Sequence, residues 1–228
     1  MKLMKIALPM ALTAVLSLGA AQSASAIPIL QFGQQTNNLT VHMVNDGGSP
    51  QATSALTINA LVTITDFFAG GTPITNVAFQ LSANSTNPAV TAGTIAGQTF
   101  SGTFCFTSLI GCGGVNYLSG VFNDGVAGFT GQSAAGLHAS TSAPGDFVSF
   151  TSDFAVAFNP VLAIDLGFVG VKPVFGVTNG SLSTFDASVA GNFEADSVQR
   201  DVPVPEPASM LLLGTGLVGL GARLRRRK

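Results

Sequence analysis

Few side chains in this sequence have both the type and the spacing to do chemistry. Cys105 and Cys112 are its two cysteines, with Gly111 among the six residues between them. In an exported chain such a pair oxidises, and the intervening glycine lets the backbone turn back on itself. The spacing is not Cys-x-x-Cys and no histidine is near in sequence, so a structural disulfide is expected and a redox or metal role is not. His42 and His138 are the two histidines, and neither falls in a ligand or catalytic spacing. Gly131-Gln-Ser133-Ala-Ala-Gly136 has one residue too many for a Gly-x-Ser-x-Gly nucleophile elbow. The aspartates are dispersed, with no Asp-x-Asp-x-Asp calcium loop, and Asp46 and Asp124 each sit in an Asn-Asp-Gly run that reads first as a turn. Gly214-Thr-Gly216-Leu-Val-Gly219 matches Gly-x-Gly-x-x-Gly, but no acidic residue follows it to take a ribose hydroxyl. Small residues at that density suit close helix packing in a membrane instead. The set predicts no catalytic residue, no metal and no cofactor, and the chain is not read as an enzyme; an extracellular hydrolase with scattered carboxylates is the last alternative.

The elements that would carry these residues show a period of two. Apolar side chains alternate with Thr and Asn in Leu56-Thr-Ile58-Asn-Ala60-Leu-Val62-Thr-Ile64, which places one face of a strand in a core. The same pattern recurs in Val77–Leu81, Phe100–Phe106, Val148–Phe158 and Phe185–Phe193. Asn45-Asp46-Gly47-Gly48, Ala69-Gly-Gly-Thr-Pro73, Asn123-Asp124-Gly125 and Ser142-Ala-Pro-Gly-Asp146 supply turn chemistry between them. No segment of the body shows a 3.6-residue repeat. The expected fold of residues 27–200 is therefore all-β, an antiparallel β-sandwich or jelly roll. Thr, Ser, Asn and Gln on the outer faces would make its surface hydrophilic without charge.

Charge is distributed unevenly along the 228 residues, of which only 9% are charged, against roughly 25% in an average domain. Between residues 27 and 202 the only bases are Lys172 and Arg200, against ten acids, a balance of −8 within a whole-chain value of −2. A nucleic-acid partner is excluded, because neutralising phosphates needs clustered Lys and Arg. The bases gather at the ends. Lys2 and Lys5 precede an apolar run from Ile6 to Ala21 and a small-residue site at Ala24-Ser25-Ala26, the layout of a secretory signal cleaved between Ala26 and Ile27. A Sec translocon and a signal peptidase are the partners this implies.

The other end reads as three modules: a spacer with Pro203, Pro205 and Pro207, an uncharged stretch Ala208–Ala222, and a basic tail of Arg223, Arg225, Arg226, Arg227 and Lys228. The prolines keep the spacer extended and out of any sheet ladder. Fifteen helical residues span about 22 Å, short of the roughly 30 Å hydrocarbon core, so the stretch is a transmembrane helix of minimal length. The tail favours a cytoplasmic C-terminus with the body outside.

Val202-Pro203-Val204-Pro205-Glu206-Pro207-Ala208-Ser209, an apolar helix and an Arg-rich terminus together resemble the PEP-CTERM sorting signal, over residues 202–228. The resemblance implies that Pro205, Glu206 and Pro207 are recognised by a membrane-embedded exosortase of an exopolysaccharide-producing Gram-negative bacterium, with this chain as substrate. The expected organisation is a signal peptide over 1–26, an ectodomain over 27–200 and a sorting signal over 201–228. The expected itinerary is export, a transient inner-membrane intermediate, then the cell surface or extracellular matrix. The expected role is structural, associated with a biofilm or its exopolysaccharide. A carbohydrate-binding β-domain is the first alternative, weakened by zero Trp and one Tyr; ice binding is a lesser one, since Thr63-Ile-Thr65 stands alone.

Overall fold

The computed structural model describes residues 27–195, apart from 37, 46–53, 69–71, 86, 143, 156 and 159–161. The expected signal helix with Ala26, the sorting tripeptide, the C-terminal apolar helix and the basic tail lie outside the described residues, as does Asp46.

The described chain contains strands and no helix. In order they are β1 (Ile27–Gln34), β2 (Val41–Asn45), β3 (Ser54–Phe67), β4 (Ile74–Ser85), β5 (Val90–Ala92), β6 (Ile95–Leu109), β7 (Gly113–Phe129), β8 (Ala134–Ser140), β9 (Phe147–Thr151), β10 (Leu162–Lys172), β11 (Val177–Thr178), β12 (Ser181–Leu182) and β13 (Phe185–Ala195). One sheet holds all but the β11–β12 hairpin. β6 pairs β4 along one edge and β7 along the other, so the circuit β6-β4-β3-β1-β13-β10-β8-β7 returns to its start as an 8-strand antiparallel barrel.

A single closed sheet thus stands where two packed sheets were expected. Its closure rests on the long β6–β7 hairpin, whose inward positions carry glycines that let the strands coil. Gly102 lies opposite Phe122, and Gly120 opposite Phe104. A Cβ on Gly120 would come within 1.9 Å of the Ser149 carbonyl oxygen and 3.0 Å of the Phe104 ring. Glycine at such a corner gives up side-chain packing so that backbones can approach, and the facing phenylalanines fill the vacated space.

Two stretches of the wall are shared by strands placed end to end. β1 and then β2 occupy the slot between β3 and β13. Gln34 seals their junction: its Nε2 donates to the carbonyls of Thr36 and Asn38, both at 2.5 Å, and its Oε1 accepts from Thr40 Oγ1 at 2.8 Å and Val189 N at 3.1 Å. β8 and then β9 likewise lie along β7.

Alternation points Leu56, Ile58, Val62 and Ile64 of β3 into the barrel beside Phe79, Phe106, Phe168 and Phe193, all essentially inaccessible to solvent. Phe79 and Phe106 stack with centroids 4.2 Å apart, and Phe32 meets both edge-on. The interior is a packed apolar core and the outer wall is rich in Thr, Ser, Asn and Gln, with scattered exposed apolar residues such as Leu61, Val121 and Val169; the apolar interior is the inverse of the polar interior of outer-membrane barrels.

Two expected features differ. The Val148–Phe158 run is not one strand, because β9 stops at Thr151. Ser152 turns the chain there: its Oγ accepts from Phe154 N at 3.1 Å and donates to the Tyr117 carbonyl at 2.5 Å, a local alternative to the ladder. Asn123-Asp124-Gly125 is not a turn either, but lies in the middle of β7. The break it marks belongs to the neighbouring strand, where β8 gives way to β9. Asp124 takes an inward position at that break, with Oδ1 accepting from Gly125 N at 2.7 Å and Oδ2 from Ser140 N at 3.2 Å.

Candidate functional site

The strongest candidate lies on the outer wall, where β3, β4, β6, β7 and β9 run side by side and their outward residues fall into transverse rows. One row is Asn59, Gln80, Cys105, Ser119 and Thr151; the next is Thr57, Ser82, Thr103, Val121 and Ser149. Together they floor an open groove of about 650 Å³ whose lining includes Gly111 and Cys112 and no Asp, Glu, Lys, Arg or His.

The first row is bonded within itself. Gln80 Nε2 donates to Asn59 Oδ1 at 2.9 Å, and its Oε1 accepts Gly111 N at 2.6 Å and Cys112 N at 3.0 Å. Ser119 Oγ is 2.8 Å from Thr151 Oγ1 and accepts from Asn116 Nδ2 at 2.9 Å. The Cys105–Cys112 disulfide forms as the sequence predicts, with Cα atoms 5.7 Å apart. It folds the hairpin tip back over the first row and covers Cys105, only 2% exposed. Cys112 sits at φ 56°, a left-handed conformation that disfavours side chains and that the bond to Gln80 and the disulfide hold in place.

The second row is unlike the first. Thr57, Ser82, Thr103 and Ser149 make no side-chain hydrogen bond among the described residues, and all four reach solvent. Phe147 stands two residues from Ser149 on the same face and is 52% exposed. Neutral hydroxyls in a line, with Val121 and the Phe147 ring beside them, can hydrogen-bond and pack against an uncharged polar ligand; they provide neither a nucleophile with a base nor a metal cage.

The histidines lie elsewhere on the wall, and the fold gives each an aspartate partner that no linear spacing reveals. His42 Nδ1 is 2.6 Å from Asp186 Oδ1, and His138 Nδ1 is 2.6 Å from Asp165 Oδ1. Both are directly opposed cross-strand pairs, on β2–β13 and β8–β10. A carboxylate orienting an imidazole is part of a hydrolytic triad, yet no Ser, Thr or Cys is bonded to either ring among the described residues. Nor do three His, Cys, Asp or Glu side chains come together among the described residues. Burial, with Asp146 adding to it, pushes the Asp124 carboxyl above its ordinary value against the opposing pull of its backbone donors. Each of its oxygens accepts a backbone N–H and helps hold the β7 wall.

The barrel begins and ends at one place: Ile27 is paired with Ala195. Residues 203–227 match the family model described as the PEP-CTERM protein-sorting motif. The chain carries a PEP-CTERM motif. The match takes in Pro205, Glu206, Pro207, Arg223, Arg225, Arg226 and Arg227, and stops one residue short of Lys228. No curated protein and no solved structure matches the chain. A PEP-CTERM motif marks an extracellular protein that exosortase sorts, and it entails export and passage through the membrane before display. The groove has no signature in the linear sequence beyond alternating Thr, Ser, Asn and Gln. Its one legible clue is that these hydroxyls and amides recur at outward positions of strands whose order the sequence does not state.

Proposed function

We propose that this is a non-catalytic protein of the cell surface or extracellular matrix, delivered by its PEP-CTERM motif and contributing a rigid barrel, rich in outward hydroxyls and amides, to a biofilm or exopolysaccharide layer. In this reading the signal peptide is cleaved before Ile27, the chain passes through an inner-membrane intermediate with its basic tail cytoplasmic, and exosortase processes it at Pro205-Glu206-Pro207. The observation that carries the structural role is the filled interior: side chains occupy the barrel and both mouths are covered, so the molecule offers bulk and surface rather than an internal site. An outer wall of hydroxyls and amides is compatible with a hydrated matrix.

Replacing Pro205, Glu206 and Pro207 together by alanine in an exosortase-producing host tests delivery: the mass of residues 27–228, unprocessed at the C-terminus, should persist and surface display should fall. Unchanged mature mass and location would reject exosortase processing at that tripeptide. Deleting the chain should weaken matrix cohesion, measured by rheology of the cell pellicle; an intact matrix would reject the structural role.

A further inference from the structure

We infer that the outer groove is a binding site for a neutral polysaccharide, engaged by the unbonded hydroxyl row. This deepens the matrix reading, on which it rests for its biological setting, by naming a ligand class and the residues that meet it. Thr57, Ser82, Thr103 and Ser149 lie on β3, β4, β6 and β9 in direct register, with Val121 of β7 filling the place between the last two. Adjacent strands are about 4.8 Å apart, so the row presents hydroxyls at roughly the length of one sugar ring over five strands. Each hydroxyl is at once donor and acceptor, as are the hydroxyls of a glycan. The neighbouring row has spent its polar atoms on itself and on the disulfide-bound tip, which fixes the floor and one wall before any ligand arrives. Such preorganisation lowers the ordering cost of association.

The absence of charged side chains in the lining selects among polar ligands. An anionic polymer would find no cation in the groove and would meet an acidic barrel beyond it, whereas a neutral chain meets neither repulsion nor a charge to desolvate. Val121, 37% exposed, and Phe147 supply apolar surface for the C–H faces of sugar rings. That combination favours a pyranose polymer over an ice surface, which would be matched by a hydroxyl array without a projecting ring.

The test is affinity electrophoresis of the full chain in mild detergent through gels containing a soluble neutral β-glucan, an α-mannan or alginate. Retardation by at least one neutral polymer and none by alginate is expected. The double variant Thr57→Val and Thr103→Val keeps shape and removes two hydroxyls. It should weaken binding about tenfold, the equivalent of two ordinary neutral hydrogen bonds. Phe147→Ala should also weaken it, and Thr91→Val, the same chemical change on β5 outside the groove, should leave it unchanged. All these positions are solvent-accessible, and matching unfolding midpoints would confirm that the variants fold. No retardation by either neutral polymer overturns the proposal, as does a double variant that binds like the parent, or inhibition of ice recrystallisation without glycan binding. A chain that is displayed in a cohesive matrix but ignores the polymers sinks the groove assignment alone; one that binds them but is dispensable for the matrix sinks the structural reading alone.

Discussion

At the mouth where β1 begins and β13 ends, rings meet rings: Phe67 contacts Phe68, Tyr117 and Phe154, and Phe68 stacks on Phe158, which leads inward to Phe150 and Phe193. β3 and β7 are separated by β4 and β6 around the wall, so the Phe67–Tyr117 contact crosses the opening. At the opposite mouth the cover is held by an amide. Gln98, 3% exposed, donates from Nε2 to the Asn87 carbonyl at 2.7 Å, and its Oε1 accepts Leu182 N at 2.9 Å and Ser54 Oγ at 3.3 Å. Leu182 belongs to the β11–β12 hairpin, and the segment before it is pinned by Gly131 N to the Phe175 carbonyl and by Phe175 N to the Gln132 carbonyl, at 2.8 and 2.9 Å. The aromatic closure is non-directional and partly wet, with Phe154 45% exposed, so it tolerates loss of a member. The amide closure is directional and largely dry, and removing its centre strands the buried Leu182 N–H and Ser54 hydroxyl at once, while the exposed Asn87 carbonyl keeps its bond from Ser85 Oγ.

That contrast predicts an order of effects. Gln98→Ala should cost the most, about 3–4 kcal/mol in urea unfolding, because a buried donor or acceptor left without a partner costs about 1–3 kcal/mol. Gln98→Leu keeps most of the volume and sharpens the point: if it restores more than half of the lost stability, packing and not hydrogen bonding closes that mouth. Reducing the Cys105–Cys112 bridge, near the aromatic mouth, should cost about 2–3 kcal/mol for so short a loop, read from urea curves with and without reductant. Phe154→Ala should cost about 1 kcal/mol, since only half of the ring is withdrawn from water. A loss equal to that of Gln98→Ala would erase the distinction between the mouths.

Asp124 gives the smallest effect and extends the comparison to a half-buried polar group that can carry charge. Its folded-state pKa is raised, chiefly by burial, so its favourable contribution is fully present below the ordinary value of 3.8 and is lost as pH rises through the folded value. The stability difference between the parent chain and Asp124→Asn should therefore shift against the parent as pH rises from acidic to neutral. A pH-independent difference in unfolding midpoint would show that the carboxylate is not penalised in its place on β7.

Much of β3, β4, β6 and β13 was legible because each has one face in a core and one in water, which imprints a period of two. β7 and β10 were not. β7 carries Gly120 and Gly125 and an Asn-Asp-Gly run, and locally these residues favour turns; its pairing with three different strands overrides that preference. The groove was unreadable for a related reason. Thr57, Ser82, Thr103 and Ser149 become neighbours only through strand order, and whether a hydroxyl is free or bonded depends on what lies beside it. The His–Asp pairs were hidden in the same way, across separations of 144 and 27 residues.

By itself the sequence determined the all-β class, the disulfide, the Thr- and Ser-rich outward strand faces and the PEP-CTERM motif. Each is written in local composition or spacing: alternation, a cysteine pair, outward Thr and Ser, and a tripeptide before an apolar run and a basic tail. Tertiary structure alone decided that the sheet closes into a barrel, that one mouth is sealed by rings and the other by an amide, and that one hydroxyl row is satisfied while its neighbour is open to a ligand. Those outcomes depend on which strands pair and in what register. Pairing is a long-range choice, settled by the packing of the whole core and by glycines such as Gly120 that let two backbones meet, and no window of neighbouring residues contains it.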